Sequence, residues 1–264
     1  CDPQAAREVT VEVNPESANR ALYDLLRESG VNRLSVGVQS FDDRALALLG
    51  RLHTGCDARR AVEDACSAGF ENVSIDLIYA VPGFDVASWK KTLDTAVRLP
   101  VRHISLYSLT YEEGTPLHAA RCRKEIAPAP EEHEEAMYRL AQDMLSRHGF
   151  RQYEVSSFSR PGYESMHNGI YWENAAYLGL GAGAVSYVEG MRCQQVPSVD
   201  EYVARYLRGE DTRISCEELD PQQRALETAV LNLRTAAGID FVRFQTQTGY
   251  DIRVLRGTEF EQLR

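Results

Sequence analysis

The stretch that decides the fold is Arg33–Phe41, which reads Arg-Leu-Ser-Val-Gly-Val-Gln-Ser-Phe. Apolar residues alternate with small or polar ones, as in a β-strand with two different faces: Leu34, Val36 and Val38 against Ser35, Gly37 and Gln39. Helical spacing precedes it and ends at Gly30, and another helical pattern follows over Asp42–Gly50. Gln39 therefore lies at the C-terminal end of a strand, where parallel α/β barrels carry their chemistry. On spacing alone, a strand-end side chain that bonds to a loop explains Gln39 equally well.

The same alternation of strand and helix continues on both sides. We predict strands at Glu8–Val13, Arg33–Phe41, Asn72–Ala80 and His103–Leu109, and helices at Glu16–Ser29, Asp42–Gly50, Ala58–Ser67 and Ser88–Leu99. Short loops between them imply a parallel sheet with right-handed crossovers. Four strands are too few for a closed eight-stranded barrel, so they fit an incomplete barrel that lacks its first strands. Asp76 lies inside a predicted strand, where a carboxylate must face a partner or a ligand.

The second half of the chain has a different character. We predict an amphipathic helix, a strand, two further helices and a helical tail: Glu131–Arg147, Arg151–Phe158, Val199–Leu207, Pro221–Leu233 and Phe241–Arg264. The tail is typical of a small helical domain that stops early. The fold class is therefore α/β, with an incomplete small helical domain at the C-terminal end.

Composition excludes some classes of protein. The net charge of −10 and the pI of about 5.2 argue against a nucleic-acid partner, and no apolar run is long enough for an integral membrane segment. The six cysteines are scattered, and we expect reduced thiols of a cytoplasmic protein: Cys1, Cys56, Cys66, Cys122, Cys193 and Cys216. Because the chain starts at a cysteine and soon enters a strand, we expect it to be N-terminally truncated.

Several motifs in order resemble one family. They are Glu-Val-Asn-Pro at Glu12–Pro15, the stretch Asn32–Phe41, Gly-Arg-Leu-His at Gly50–His53 and Asp-Leu-Ile-Tyr-Ala-Val-Pro-Gly at Asp76–Gly83. Together they are similar to the radical S-adenosylmethionine (radical SAM) proteins related to oxygen-independent coproporphyrinogen III oxidase. Within that group, His167–Trp172 matches the HNxxYW motif of HemW-type haem chaperones.

The resemblance implies a partial (β/α)6 radical SAM barrel. The family holds a 4Fe-4S cluster on a CxxxCxxC loop after the first strand, and a glycine-rich motif after the second strand contacts the cofactor. Neither motif is present here, so the chain corresponds to strands three to six of the barrel and most of the part C-terminal to it. We therefore expect no cluster ligands in this chain. The predicted domains are residues 1–118 (barrel strands), 119–207 (barrel extension with HNxxYW) and 208–264 (incomplete C-terminal domain).

The resemblance also implies site residues for S-adenosylmethionine. Glu12, Gln39, Arg51 and Asp76 match positions that bind this cofactor in the oxidase relatives. The chemistry agrees, because carboxylates accept hydrogen bonds from ammonium and hydroxyl groups, an amide both donates and accepts, and a guanidinium pairs with a carboxylate. For Arg51, a surface ion pair is an alternative interpretation.

The HNxxYW motif predicts a haem site. His167 is the candidate iron ligand, and Tyr171 and Trp172 are candidates to stack on the macrocycle. We place His167 on an exposed loop, with His53 as the rival ligand. The alternative is a turn in which Asn168 and Gly169 take positive φ and the two aromatic residues pack into the core. The run Gly179–Gly183 resembles a glycine-rich family motif that approaches the cofactor or the barrel closely.

The resulting hypothesis is a haem chaperone that binds haem and transfers it to a haem-requiring acceptor protein, with S-adenosylmethionine and the 4Fe-4S cluster as further cofactors. We expect a cytoplasmic location, with possible peripheral contact with a membrane enzyme. The alternatives are an oxygen-independent coproporphyrinogen III oxidase and an inactive fragment of either protein. The HNxxYW motif favours the chaperone, so coproporphyrinogen III dehydrogenase activity is not expected.

Overall fold

A computed structural model describes residues 6–258 of the chain. It forms two compact units that divide between Glu164 and Ser165. Each unit is described by itself below.

The first unit is built on a six-stranded sheet with the order β1-β2-β3-β4-β6-β5. Its strands are β1 (Thr10–Val13), β2 (Arg33–Gln39), β3 (Asn72–Tyr79), β4 (His103–Ser108), β5 (Arg151–Gln152) and β6 (Ser157–Ser159). The first four are parallel, as predicted, whereas β5 and β6 add antiparallel to β4. The predicted single strand Arg151–Phe158 is wrong in its middle, where the Ser157 amide donates to the Glu154 carbonyl in a turn that divides it.

Six helices connect these strands. They are α1 (Arg20–Glu28), α2 (Asp43–Leu48), α3 (Gly55–Ser67), α4 (Val86–Ala96), α5 (Pro116–Cys122) and α6 (Glu131–Arg147). Local sequence determines where most of these helices begin. The residue before the helix uses its side-chain oxygen to accept a hydrogen bond from a backbone amide of the first turn, and these capping residues are Asn19, Asp42, Thr54, Asp85 and Thr115. Thr54 and Asp57 form a complete capping box at the start of α3. This anchors the segment that carries the Gly-Arg-Leu-His motif.

The sheet has two unlike faces. The apolar face lies in one core with the helices, and its fully buried residues include Leu34, Val36, Ile75, Leu77 and Ile104. The alternate positions are polar, and they include Arg33, Ser35, Asp76, His103 and Ser105. The alternation predicted for Arg33–Phe41 is confirmed, since Leu34, Val36 and Val38 are all completely buried.

The second unit contains more strand than the sequence predicts. Its elements are α7 (Met166–Trp172), β7 (Val185–Val188), β8 (Met191–Gln195), α8 (Val199–Arg208), β9 (Arg213–Glu218), α9 (Pro221–Leu233), α10 (Phe241–Thr248) and α11 (Ile252–Leu255). Strands β7, β8 and β9 form an antiparallel sheet. The predicted helices at Val199–Leu207 and Pro221–Leu233 are confirmed. Of the predicted helical tail, residues 259–264 lie outside the described residues.

The new sheet corrects one expectation about the cysteines. Cys193 of β8 and Cys216 of β9 lie directly opposite each other and are joined by a disulfide, so the prediction of reduced thiols is wrong for this pair. Cys56, Cys66 and Cys122 are unbridged. The strand pairing that brings the two sulfur atoms together was not visible in the sequence, and Cys1 lies outside the described residues.

Candidate functional site

The C-terminal end of β2 has an irregular backbone that positions Gln39. The register against β3 shifts between Val36 and Gln39, and Gln39 itself has a φ of 62°. Non-glycine residues rarely adopt this left-handed region, and they concentrate at functional sites. A Cβ atom on Gly37 would lie 3.0 Å from the Gln39 Nε2 atom, so the side-chain amide folds back over the glycine. The absence of a side chain at Gly37 therefore makes room for this amide.

Asp76 lies on the polar face of the sheet. Its Oδ2 atom accepts a hydrogen bond from Ser35 Oγ at 3.0 Å. Burial raises the pKa of the Asp76 carboxyl; a hydrogen bond from Ser105 and that from Ser35 oppose the rise. Asp76 was predicted to face a partner or a ligand, and Ser35 and Ser105 are its partners within the fold.

Glu12 belongs to the same group of side chains. It is exposed on β1 and in register with Ser35 on β2. Ser35, its register partner, donates to Asp76, so Glu12 and Asp76 lie on the same face, and the charge of Glu12 adds to the raised pKa of Asp76. Among the four predicted cofactor residues, the structure thus brings Glu12 and Asp76 together on one sheet face.

Arg51 lies in the loop between α2 and α3 and is partly exposed. Its charge acts on Glu16, the residue that follows Asn14-Pro15 at the end of β1. Burial opposes ionisation of Glu16, but its backbone hydrogen bond, the hydrogen bond and charge of His53, and the charge of Arg51 outweigh burial and lower its pKa. The loop with Arg51 is therefore adjacent to the segment after β1.

His53, the rival haem ligand, is buried in the same loop at 4% exposure. Its Nδ1 atom lies 3.0 Å from Glu16 Oε2, and its Nε2 atom lies 3.1 Å from the Val38 carbonyl oxygen. Both ring nitrogens are bonded inside the fold, so His53 offers none to a haem iron.

The HNxxYW motif forms helix α7, not the loop predicted for it. The Ser165 side chain caps the helix by accepting from the Asn168 amide. His167 and Tyr171 are four residues apart and share one helix face; the Tyr171 hydroxyl lies 3.0 Å from His167 Nε2, with the rings perpendicular at 86° and 4.9 Å between centroids. His167 is exposed, as predicted. Asn168 and Gly169 lie within the helix, so the turn with positive φ is excluded.

Trp172 points away from this pair. It is five residues after His167, and its carbonyl oxygen accepts from Asn232 Nδ2 on α9 at 2.8 Å. The Arg234 guanidinium lies 5.2 Å from the indole ring centre. The indole N–H is buried and has no hydrogen-bond partner among the described residues. The helix therefore separates the predicted haem residues into a His167–Tyr171 pair and a tryptophan packed on α9.

Two tyrosines that the sequence did not single out extend the aromatic surface. Tyr177 packs edge-on against Tyr171 with 4.6 Å between ring centres, and Tyr187 of β7 lies 6.1 Å beyond Tyr177. Burial raises the pKa of Tyr171, and the neighbouring Tyr177 adds to the shift. Tyr177 and Tyr187 come together through an antiparallel bridge between their backbones, so residue spacing in the sequence could not predict this aromatic group.

The glycine-rich run has a structural role at its first residue. A Cβ on Gly179 would lie 2.2 Å from the Val185 carbonyl oxygen, and the Gly179 amide donates to Ser186 Oγ at 2.9 Å. At Gly179 the close approach is therefore to strand β7, whereas the approach of this run to the cofactor or the barrel stays a prediction. A cavity of about 550 Å³ also lies in the second unit, and its lining residues include Tyr187, Glu173, Arg224 and Arg243. None of His167, Tyr171 and Trp172 lines it.

The described residues do not supply a set of metal ligands. Within residues 6–258, no three His, Cys, Asp or Glu side chains group closely enough to hold a metal ion. The donor set there does not fit a 4Fe-4S cluster of the family's type, which needs three thiolates. In the same described range, no helix is both long and apolar enough to span a membrane.

Comparison with known proteins agrees with this geometry. The pattern of the Radical SAM superfamily matches residues 3–96. The chain is 36% identical to the "Heme chaperone HemW" of Lactococcus lactis over 263 residues, which is 99% of this chain and 69% of that protein. It is also 36% identical to the protein of the same name from Bacillus subtilis, over 92% of this chain and 64% of the relative. The chain belongs to the HemW family of radical SAM proteins.

A solved structure supports the fold. The Escherichia coli coproporphyrinogen III oxidase HemN, a radical SAM enzyme, superposes with a TM-score of 0.81 over 97% of this chain and 62% of that chain. The sequence identity is 20%, so this likeness concerns the fold alone. The predicted fold class, α/β with a mostly parallel sheet of the radical SAM type, is confirmed.

Proposed function

We propose that this chain is the haem-holding part of a haem chaperone, which binds haem reversibly and passes it to a haem-requiring acceptor protein in the cytoplasm. Family membership supports this proposal. The observation that carries it is the His167–Tyr171 pair, an exposed imidazole held by a phenol on helix α7. Imidazole is the commonest protein ligand of haem iron, and the aromatic neighbours offer a surface for a porphyrin face.

The pair suits a carrier that must release its cargo. The iron takes the place of the Tyr171 hydroxyl at His167 Nε2, so binding breaks one hydrogen bond and release restores it. A net hydrogen bond contributes roughly 0.5–1.5 kcal/mol, a modest bias toward release. Trp172 holds the helix on α9, and this contact fixes the direction in which the His167–Tyr171 face points.

The first unit is proposed to bind S-adenosylmethionine through Glu12, Gln39, Arg51 and Asp76. Glu12 and Asp76 would accept from the amino or ribose groups, Arg51 would pair with the carboxylate, and Gln39 would bond to either type of group. The cofactor supplies radical chemistry when a reduced 4Fe-4S cluster accompanies it, and cluster ligands are not found in residues 6–258. We assign the present chain no step of that chemistry.

Haem loading and release test the proposal. The chain is mixed with one equivalent of haem, desalted, and then added to apomyoglobin while the Soret band is recorded. The expected result is one haem retained per chain and its loss to apomyoglobin within minutes. A chain that retains no haem contradicts the proposal, and if it then binds coproporphyrinogen III, the oxidase alternative is favoured. Haem that apomyoglobin fails to extract contradicts the carrier role.

A further inference from the structure

One buried imidazole connects three of the four segments assigned to the cofactor. His53 contacts Glu16, which follows β1 with its Glu12, and Val38, which directly precedes Gln39. His53 itself lies two residues after Arg51 in the chain. The side chain of His53 is completely inaccessible to solvent. Its contacts are thus internal ties between chain segments, and they are distinct from any contact with a ligand.

The tie to Val38 acts at the irregular end of β2. The Val38 carbonyl accepts from His53 Nε2 and also from the Ser40 amide at 2.7 Å. This peptide lies inside the register shift that leads to the left-handed Gln39. Two donors on one carbonyl fix the orientation of the peptide, and that orientation sets the direction of the Gln39 side chain.

The loop that carries His53 also contacts the residues after β2 through Gly55. The Gly55 amide donates to Asp43 Oδ1 at 2.7 Å, and a Cβ on Gly55 would lie 2.3 Å from the Phe41 carbonyl oxygen. The loop therefore packs directly on the residues after β2. His53 and the Gly55 amide provide the polar contacts of this packing, and the absence of a side chain at Gly55 permits the close approach.

We propose that His53 is a positioning residue for the cofactor pocket. Its two contacts hold the segments that carry Glu12, Gln39 and Arg51 in fixed positions relative to one another. This inference rests on the proposed binding of S-adenosylmethionine. The two contacts use nitrogens on opposite sides of one ring, one facing a carboxylate and the other a carbonyl. A glutamine or asparagine side chain carries both of its N–H groups on one nitrogen, so it cannot reach acceptors on opposite sides of the ring and replaces only one of the contacts.

The test compares His53→Ala and His53→Gln with a matched control, His148→Ala. His148 also bonds a backbone carbonyl through its ring, at 2.7 Å to Met144, but it lies at the end of α6. Hydrogen exchange measures the order of residues 38–41 and 51–54 without cofactor, and calorimetric titration measures the affinity for S-adenosylmethionine. His53→Ala is expected to increase exchange in those two segments and to weaken affinity about tenfold, or roughly 1.4 kcal/mol. His53→Gln is expected to recover part of both, and His148→Ala to change neither.

The outcomes separate this inference from the proposed function. If His53→Ala leaves exchange at residues 38–41 and 51–54 unchanged, or raises it equally throughout the unit, His53 is not a positioning residue. If the wild-type chain binds no S-adenosylmethionine, the assignment of the cofactor pocket fails, and the exchange pattern still decides whether His53 holds the segments. Glu16→Ala serves if His53→Ala does not fold, because it removes one tie and keeps the other. It is expected to raise exchange at residues 51–54 and leave residues 38–41 protected; unchanged exchange at residues 51–54 overturns the inference.

Discussion

Replacing Tyr171 with phenylalanine is expected to tighten haem binding. The Tyr171 hydroxyl lies 3.0 Å from His167 Nε2, the atom that the iron takes in the proposed complex. Tyr171→Phe removes this competition and keeps the ring that packs edge-on against the imidazole. The net hydrogen bond of roughly 0.5–1.5 kcal/mol corresponds to a gain in affinity of roughly 2- to 12-fold. Release to an acceptor is expected to slow by a similar factor.

Optical haem titration measures this effect, with Tyr177→Phe as the matched control. Tyr177 is the next ring of the same aromatic group, and its ring packs on Tyr171. Its substitution therefore leaves the pair intact and is expected to leave haem affinity unchanged. If Tyr171→Phe weakens binding as much as loss of His167 does, the hydroxyl assists the haem complex and the reasoning is wrong. An unchanged affinity would mean that the iron does not displace this hydrogen bond.

Three further predictions concern the first unit and the cluster. Anaerobic reconstitution of this chain with iron and sulfide is expected to leave no stable four-iron cluster after desalting; iron analysis that finds about four irons per chain contradicts this. Asp76→Ala is expected to weaken S-adenosylmethionine binding more than Arg51→Ala does. A charged hydrogen bond on the partly buried sheet face contributes roughly 1.5–3 kcal/mol, whereas solvent screens the charge of the loop arginine. Calorimetric titration that gives equal losses of affinity for the two variants refutes this ranking. Burial, with the charge of Arg33, lowers the pKa of His103 from 6.5 to about 3, so the unfolded chain binds the proton first. The free energy of unfolding is therefore expected to fall as the pH drops from about 6.5 toward 3, by up to ~1.4 kcal/mol per pH unit. Urea unfolding of His103→Gln over the same pH range is expected to show a shallower fall. An equal dependence on pH in both proteins contradicts the lowered pKa of His103.

The first unit was largely predictable because its signals are local. The alternation in Arg33–Phe41 arises from a strand with one face on the core and the other polar, and stop signals such as Gly30 have φ values that suit glycine, here 89°. Asp76 was recognisable as a functional candidate because a carboxylate in a strand needs a partner. The irregular end of β2 was not predictable, since its Val38 carbonyl is bonded by His53, which lies beyond the next helix.

The second unit was less predictable because its elements are short or weakly marked. Asn168 and Gly169 are poor helix formers, and they favoured a turn until the Ser165 cap and the packing of Trp172 on α9 were known. The hairpin between β7 and β8 turns on Glu189 and Gly190, both with positive φ, as in the tight turns that suit hairpins. Glu-Gly is a weak turn signal, and the strands beside it lack clear alternation.

The most direct test of the haem-carrier function is haem titration of the wild-type chain, His167→Ala and His133→Ala. His133 is a matched control because it is also an exposed histidine on a helix, in the first turn of α6. His167→Ala is expected to shift the Soret maximum and to lower haem affinity at least about tenfold, a loss of roughly 1.4 kcal/mol, whereas His133→Ala is expected to bind haem as wild type does. If His167→Ala keeps the wild-type Soret position and affinity, His167 is not the iron ligand, and the haem-carrier function loses the observation on which it rests.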